Sequence, residues 1–136
     1  MAKLGKASEE KLSTCRPELQ TFIRAVVERL PPPYDLTVVF GYRGEADQNQ
    51  AFALGFSKKP FPFSKHNKKP SDAVDAIPYP VDWQDTHAIA FLAGFMRAVA
   101  VELGISHRLR WLGDPDNNGK IRGQTFTDMP HWEWID

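Results

Sequence analysis

Two of the four histidines in this 136-residue chain stand beside carboxylates at spacings that suit a metal ion. Ser64-Lys65-His66 precedes Asp72 and Asp75, and Asp128-Met129-Pro130-His131-Trp132-Glu133 lies near the far end. Catalytic zinc commonly takes three protein ligands from His, Asp or Glu and keeps a fourth position for water, whose pKa falls to roughly 7. His66, Asp75 and His131 are candidates for those three. A carboxylate three residues before a ligand histidine can stand where a general base must stand, and Asp128 meets that description. Chance also puts acids beside histidines, so an ordinary polar set stays open on spacing alone. His87, in a long helical run, and His107, in a Ser-His-Arg turn, read as structural or solvated.

Two further patterns carry chemistry. Asp114-Pro115-Asp116-Asn117-Asn118-Gly119 follows the start of an EF-hand calcium loop, with oxygen donors Asp114, Asp116 and Asn118 at alternate positions and glycine sixth. Position twelve is Thr125 instead of a bidentate glutamate, so a plain polar turn competes with calcium. Phe56, Lys58, Lys59, Phe61, Phe63, Lys65, Lys68 and Lys69 interleave rings and cations as a nucleic-acid groove does. A solvated loop anchored by phenylalanines suits a chain without net charge better.

The elements that must position these residues follow from periodicity. Ser8 can cap a short first turn. Pro17 starts a helix whose Leu19, Phe22, Ile23, Val26, Val27 and Leu30 form one stripe, ended by Pro31 to Pro33. Leu36 to Tyr42 reads as a buried strand on which that helix packs, Glu45 to Leu54 as a helix, and Phe56 to Pro70 as a loop. A brief strand at Ala73 to Ile77 precedes a helix from Thr86 to Leu103, started by Asp82 or Asp85 and capped at Gly104. Gly94 within it suggests close packing. Leu109 to Leu112 and the segment around Trp132 and Trp134 are short strands, the latter with one face for a cleft and one for the core. The order fits an α+β domain with a small, mainly antiparallel sheet packed by helices.

Composition bounds the rest. At 42% hydrophobic and 25% charged the chain is globular, and 17 basic residues balance 17 acidic ones, so no global field draws it to nucleic acid or membrane. A lone cysteine, Cys15, rules out an internal disulfide and a four-cysteine zinc site. No apolar run approaches the roughly 18 residues of a membrane span, and no linker or repeat divides the chain. One domain over 1–136 is expected.

Ser-x-His, then Ala-x-Asp, then Asp-x-x-His-x-Glu resembles the M15 family of zinc peptidases of bacterial cell walls, which includes D-alanyl-D-alanine peptidases and phage L-alanyl-D-glutamate endolysins. The likeness runs from Pro17-Glu18-Leu19-Gln20 through Gly41-Tyr42-Arg43 to His131-Trp132-Glu133. It implies a Hedgehog/D,D-peptidase-like fold, zinc on His66, Asp75 and His131, and Asp128 as base. It also implies that Arg43 holds a substrate carbonyl or carboxylate, where the residue alone would read as a surface salt bridge. Ser64, Gln50 and Glu133 resemble the family's supporting serine, helix glutamine and orienting acid. The loop from His66 to Asp75 is two residues longer than the family's commonest form, with Ser71 where glycine is usual. That leaves Asp72 as a rival ligand, though it should point to the other face of a strand from Asp75.

The resemblance therefore implies hydrolysis of an amide in the peptidoglycan stem, L-alanyl-D-glutamate ahead of D-alanyl-D-alanine, by a single catalytic domain without a separate wall-binding module. Its lysine-rich segment would be attracted to the anionic cell wall. A monomer with no nucleic-acid partner and no membrane insertion is expected. A phage endolysin held in the host cytoplasm until release to the wall is the expected setting. The alternative from another class is a metal-containing wall-binding module without turnover.

Overall fold

The computed structural model describes residues 2–120 and 128–136. Among them the chain forms helices α1 (Lys6–Leu12), α2 (Pro17–Arg29), α3 (Glu45–Ala53) and α4 (Thr86–Glu102), and strands β1 (Leu36–Phe40), β2 (Ala73–Pro78), β3 (Leu109–Trp111) and β4 (His131–Trp134). The strands make one antiparallel sheet in the order β1-β2-β4-β3. This is the α+β architecture expected from the order of elements.

Proline at the first turn starts α2, where a missing N–H costs nothing, and its stripe of Leu19, Phe22, Ile23 and Val26 is fully buried. For α4 the start is Asp85, whose Oδ1 accepts from the Ala88 N–H at 3.1 Å; the end is Gly104, at φ +75°, a conformation that only glycine adopts freely. One core joins α2 and α4 to the sheet face bearing Val74, Trp132 and Trp134; Phe22 meets Trp132 edge to face at 5.4 Å between ring centroids. The opposite face of β2 and β4 is left for polar chemistry.

Three expectations are corrected. Ser8 is no cap: it lies inside α1, buried, and its Oγ accepts from the Val38 N–H at 3.0 Å, tying α1 to β1. It is α1 that lies along β1, while α2 packs beside α4. Gly94 does not serve close packing, because it is exposed and a Cβ there would meet nothing within 4 Å. Gly94→Ala should therefore stabilise the protein by about 1 kcal/mol, read as a raised denaturation midpoint.

Candidate functional site

Antiparallel pairing sets Asp75 of β2 directly opposite His131 of β4, so both side chains leave the sheet on one face. Alternation along β4 adds Glu133 to that face and sends Trp132 and Trp134 into the core. His66 comes from elsewhere, a single 3-10 turn over Lys65–Asn67 within the segment read as loop. Ser64 caps that turn: its Oγ accepts from the His66 N–H at 3.2 Å, while Asn67 Oδ1 accepts from the Ser64 N–H at 3.0 Å.

Each imidazole is fixed by its outer nitrogen. His66 Nδ1 donates to the Gly41 carbonyl at 2.7 Å, which turns the Nε2 lone pair inward. Gly41 has to be glycine, since a Cβ there would run into Lys11 O and Thr14 Oγ1. His131 Nε2 donates to Glu133 Oε1 at 2.9 Å, which aims Nδ1 at the same point. His66 Nε2, Asp75 Oδ1 and His131 Nδ1 then form a triangle with edges of 3.2, 3.1 and 3.2 Å. A tetrahedron with metal bonds of about 2.0–2.1 Å has edges near 3.3 Å, so this donor set fits zinc with one apex open. All three residues are buried, and among the described residues they are the group of His, Cys, Asp and Glu side chains placed so that it could hold a metal ion.

Charge is distributed to match. Burial opposes ionisation of Asp75, yet the two imidazoles hold its carboxyl well below the usual carboxylate range. Burial likewise disfavours a charged His66 and lowers its pKa. At His131 burial is outweighed by the hydrogen bonds to Asp75 and Glu133, which push it up to about 10. Asp128 stands just outside the triangle, half-buried, with Oδ2 3.8 Å from His131 Nδ1. Burial, reinforced by the Asp75 charge, pushes Asp128 up to about 7. Its place is set by backbone bonds, N–H to Leu112 O and C=O from the His131 N–H, both 3.0 Å.

Arg43 is a buried group here, not a surface ion pair. Its guanidinium reaches Asp75 Oδ2 at 3.4 Å and Gln48 Oε1 at 3.0 Å, and lies 4.4 Å above the Phe40 ring. Gln48 is the residue that sequence reasoning missed. Gln50, chosen as the supporting glutamine, is exposed on α3, whereas Gln48 is wholly buried and also accepts from Asn67 Nδ2 at 3.2 Å. Gln48→Ala should lower kcat/KM by about 10- to 100-fold, the usual effect of losing an outer partner, while Gln50→Ala stays within about twofold. Steady-state kinetics of the two variants checks this. Asp72 is not brought to the site; it pairs with Arg16 at 3.1 Å.

A cleft over the triangle is lined by Arg43, Lys58, Lys59, Ser64, Lys65 and Asp128. Of the rings in the same segment, Phe56 and Phe63 are exposed and Phe61 is half-buried. His87 and His107 are exposed as well. At the candidate calcium loop, Asp114 Oδ2 accepts from the Gly119 N–H at 2.8 Å and Asn118 Oδ1 from the Lys120 N–H at 2.8 Å, with Gly119 at φ +81°. Thr125 lies outside the described residues.

A buried set of three donors that could hold a metal ion with one apex open, flanked by an acid of raised pKa and an arginine, suits the chemistry of a metallohydrolase. The family described as phage L-alanyl-D-glutamate peptidase matches residues 1–135, and this chain belongs to it. The chain is 35% identical over 140 residues to the L-alanyl-D-glutamate peptidase of Escherichia phage T5, a match covering 98% of each. Its fold resembles the crystal structure of the Serratia marcescens L-Ala D-Glu endopeptidase ChiX, with a TM-score of 0.73 and 27% identity over 98% of this chain and 90% of the other.

Proposed function

We propose that this chain is a zinc endopeptidase that cleaves the L-alanyl-D-glutamate bond of the peptidoglycan stem. The observation that carries the reading is the triangle of His66, Asp75 and His131 with Asp128 beside its open apex. The bond is the one for which the phage T5 and Serratia relatives are named. The setting that goes with it is a phage lysis enzyme accumulating in the host cytoplasm until it reaches the wall.

His66, Asp75 and His131 would hold zinc, which when bound supplies a Lewis acid that acidifies water and polarises the scissile carbonyl. Asp128 takes a proton from the attacking water as its oxygen bonds to the alanyl carbonyl carbon. When the C–N bond breaks, Asp128 returns that proton to the departing amine. Arg43 lends a permanent positive charge to the cleft and opposes the negative charge that develops on the carbonyl oxygen. Glu133 and the Gly41 carbonyl keep both imidazoles in register throughout.

The test is digestion of purified peptidoglycan by zinc-loaded protein, with mass spectrometry of the new ends and an Asp128→Ala control. New amino-terminal D-glutamate, lost in the control, is expected. Released D-alanine would assign a D-alanyl-D-alanine carboxypeptidase instead. Bound zinc without products would make the chain a wall-binding module, and failure to bind zinc would overturn the site.

Calcium at Asp114, Asp116 and Asn118 is proposed as a second cation, favoured by the glycine at the sixth position in the left-handed conformation that an EF-type loop needs. Calorimetry of zinc-loaded protein should detect uptake that Asp114→Ala abolishes. No uptake, and activity unchanged by EGTA with zinc retained, would leave a polar turn.

A further inference from the structure

Arg43 hangs from a stretch without regular structure. Residues 41–44 join β1 to α3, so neither a strand ladder nor helical bonds fix its backbone. Both of its main-chain groups turn instead to the 3-10 turn that carries His66: the Arg43 N–H donates to His66 O at 2.8 Å, and Arg43 O accepts from Asn67 Nδ2 at 2.8 Å. With the bond from His66 Nδ1 to Gly41 O, these zip 41–43 onto the turn Lys65–Asn67. Only the Asn67 bond comes from a side chain that is not itself a proposed ligand.

The guanidinium is held incompletely. Nη1 donates to Gln48 Oε1 at 3.0 Å, Nη2 reaches Asp75 Oδ2 only at 3.4 Å, and the buried Nε finds no hydrogen-bond partner among the described residues. A buried donor left unmet costs energy, so this position has to be imposed from the backbone and from the acceptors around the head. Asn67 acts at both. Its Nδ2 also donates to Gln48 Oε1 at 3.2 Å, the oxygen that accepts from Arg43.

The other end of the Asn67 amide has a separate task. Oδ1 accepts from the Ser64 N–H at 3.0 Å and closes the cap of the turn. Substitution can therefore separate the two: aspartate keeps the acceptor but puts an oxygen where Arg43 O and Gln48 Oε1 need a donor.

We propose that Asn67 is a positioning residue for Arg43, holding the guanidinium in register with the His66 turn so that its charge meets the carbonyl oxygen on which negative charge develops. The proposal rests on the hydrolytic role given to Arg43 above. A cation placed in advance in this way acts in the transition state and not in the binding of substrate.

The test uses zinc-loaded protein with N-acetyl-L-alanyl-γ-D-glutamyl-L-lysine as substrate and release of acetyl-alanine as the readout. Asn67→Asp should keep stoichiometric zinc and a melting temperature close to native, while kcat falls about 10- to 100-fold and KM stays within about threefold. Asn67→Ser, which brings no new charge, should show the same loss of kcat. A phosphinate analogue, with a tetrahedral anion in place of the scissile amide, should lose affinity for Asn67→Asp by the factor lost in kcat. Arg43→Met alone should lower kcat about a hundredfold or more, and adding Asn67→Asp to it should cost less than about twofold further, because no guanidinium is left to place. Native kcat in Asn67→Asp, loss of its zinc, or additive losses in the double variant would overturn the positioning role alone. Native kcat in Arg43→Met, or no hydrolysis by the native protein, would overturn it together with the reading on which it rests.

Discussion

Asp128→Ala is expected to keep its zinc and to turn over stem peptides about a thousandfold more slowly, within the range of lost acid-base catalysis. Asp128 Oδ2 lies 3.8 Å from His131 Nδ1, outside the three-donor triangle, so the substitution leaves every proposed ligand in place. The turn survives too, because backbone bonds to Leu112 and His131 hold residue 128. Asp128→Asn keeps even the shape of the side chain, and an equal loss in that variant would isolate the proton as the cause. Acidity supplies a second signature. Burial and Asp75 push Asp128 up to about 7, and a bound dication draws it down again. The base works ionised, so kcat/KM should fall about tenfold per pH unit once the pH drops below that pKa. The residual activity of Asp128→Asn should lack this acid limb. Wild-type kcat in zinc-loaded Asp128→Asn would remove Asp128 from the mechanism.

Local rules made most of this architecture legible. Apolar residues every three or four positions fix α2, and alternation along His131-Trp132-Glu133-Trp134 separates a site face from a core face before any contact is known. Asp75 and His131 stand out through their spacing beside other ligand types and through the family resemblance, and alternation only sets Asp72 on the other face; antiparallel register brings the pair opposite one another. Where one apolar stripe did not fix the phase, the reading failed. In α3 the buried residue is Gln48, and Phe52 is exposed, so no apolar pattern distinguishes Gln48 from Gln50. The missed signal was the spacing of five from Arg43 across the helix start, which lets Gln48 reach back to the guanidinium. In α4 nearly every residue is apolar, and the exposed Phe91 and Val101 share the run with buried Leu92 and Met96, which hid the outward position of Gly94. Ser8 was misplaced because helix-cap chemistry and a buried side-chain bond to a neighbouring strand ask for the same hydroxyl. The His66 turn was legible only as a motif, since its Ser64 cap closes three residues without any periodicity.

Zinc affinity should fall about tenfold per pH unit from pH 9 to 7, because one proton must leave for each ion bound. The proton belongs to His131. Without metal its imidazole lies between Asp75 and Glu133, whose hydrogen bonds outweigh burial and push it up to about 10. Zinc requires the Nδ1 lone pair, so binding below that pKa displaces a proton, and a lower pH favours the proton. Below about pH 7 the slope should steepen, since Asp128 is then protonated as well in the metal-free protein and a dication beside it favours its ionised form. Competition titrations against a chelator, with proton release measured in two buffers, read both effects. The same assay separates the two aspartates of the His66-to-Asp75 loop. Asp75→Ala removes one corner of the triangle and should abolish stoichiometric zinc and activity together. Asp72→Ala breaks only the contact with Arg16 and should keep both, with stability within about 1 kcal/mol of the native protein. A flat affinity between pH 9 and 7 would mean that His131 holds no proton to displace, and zinc retained by Asp75→Ala would move the third ligand elsewhere.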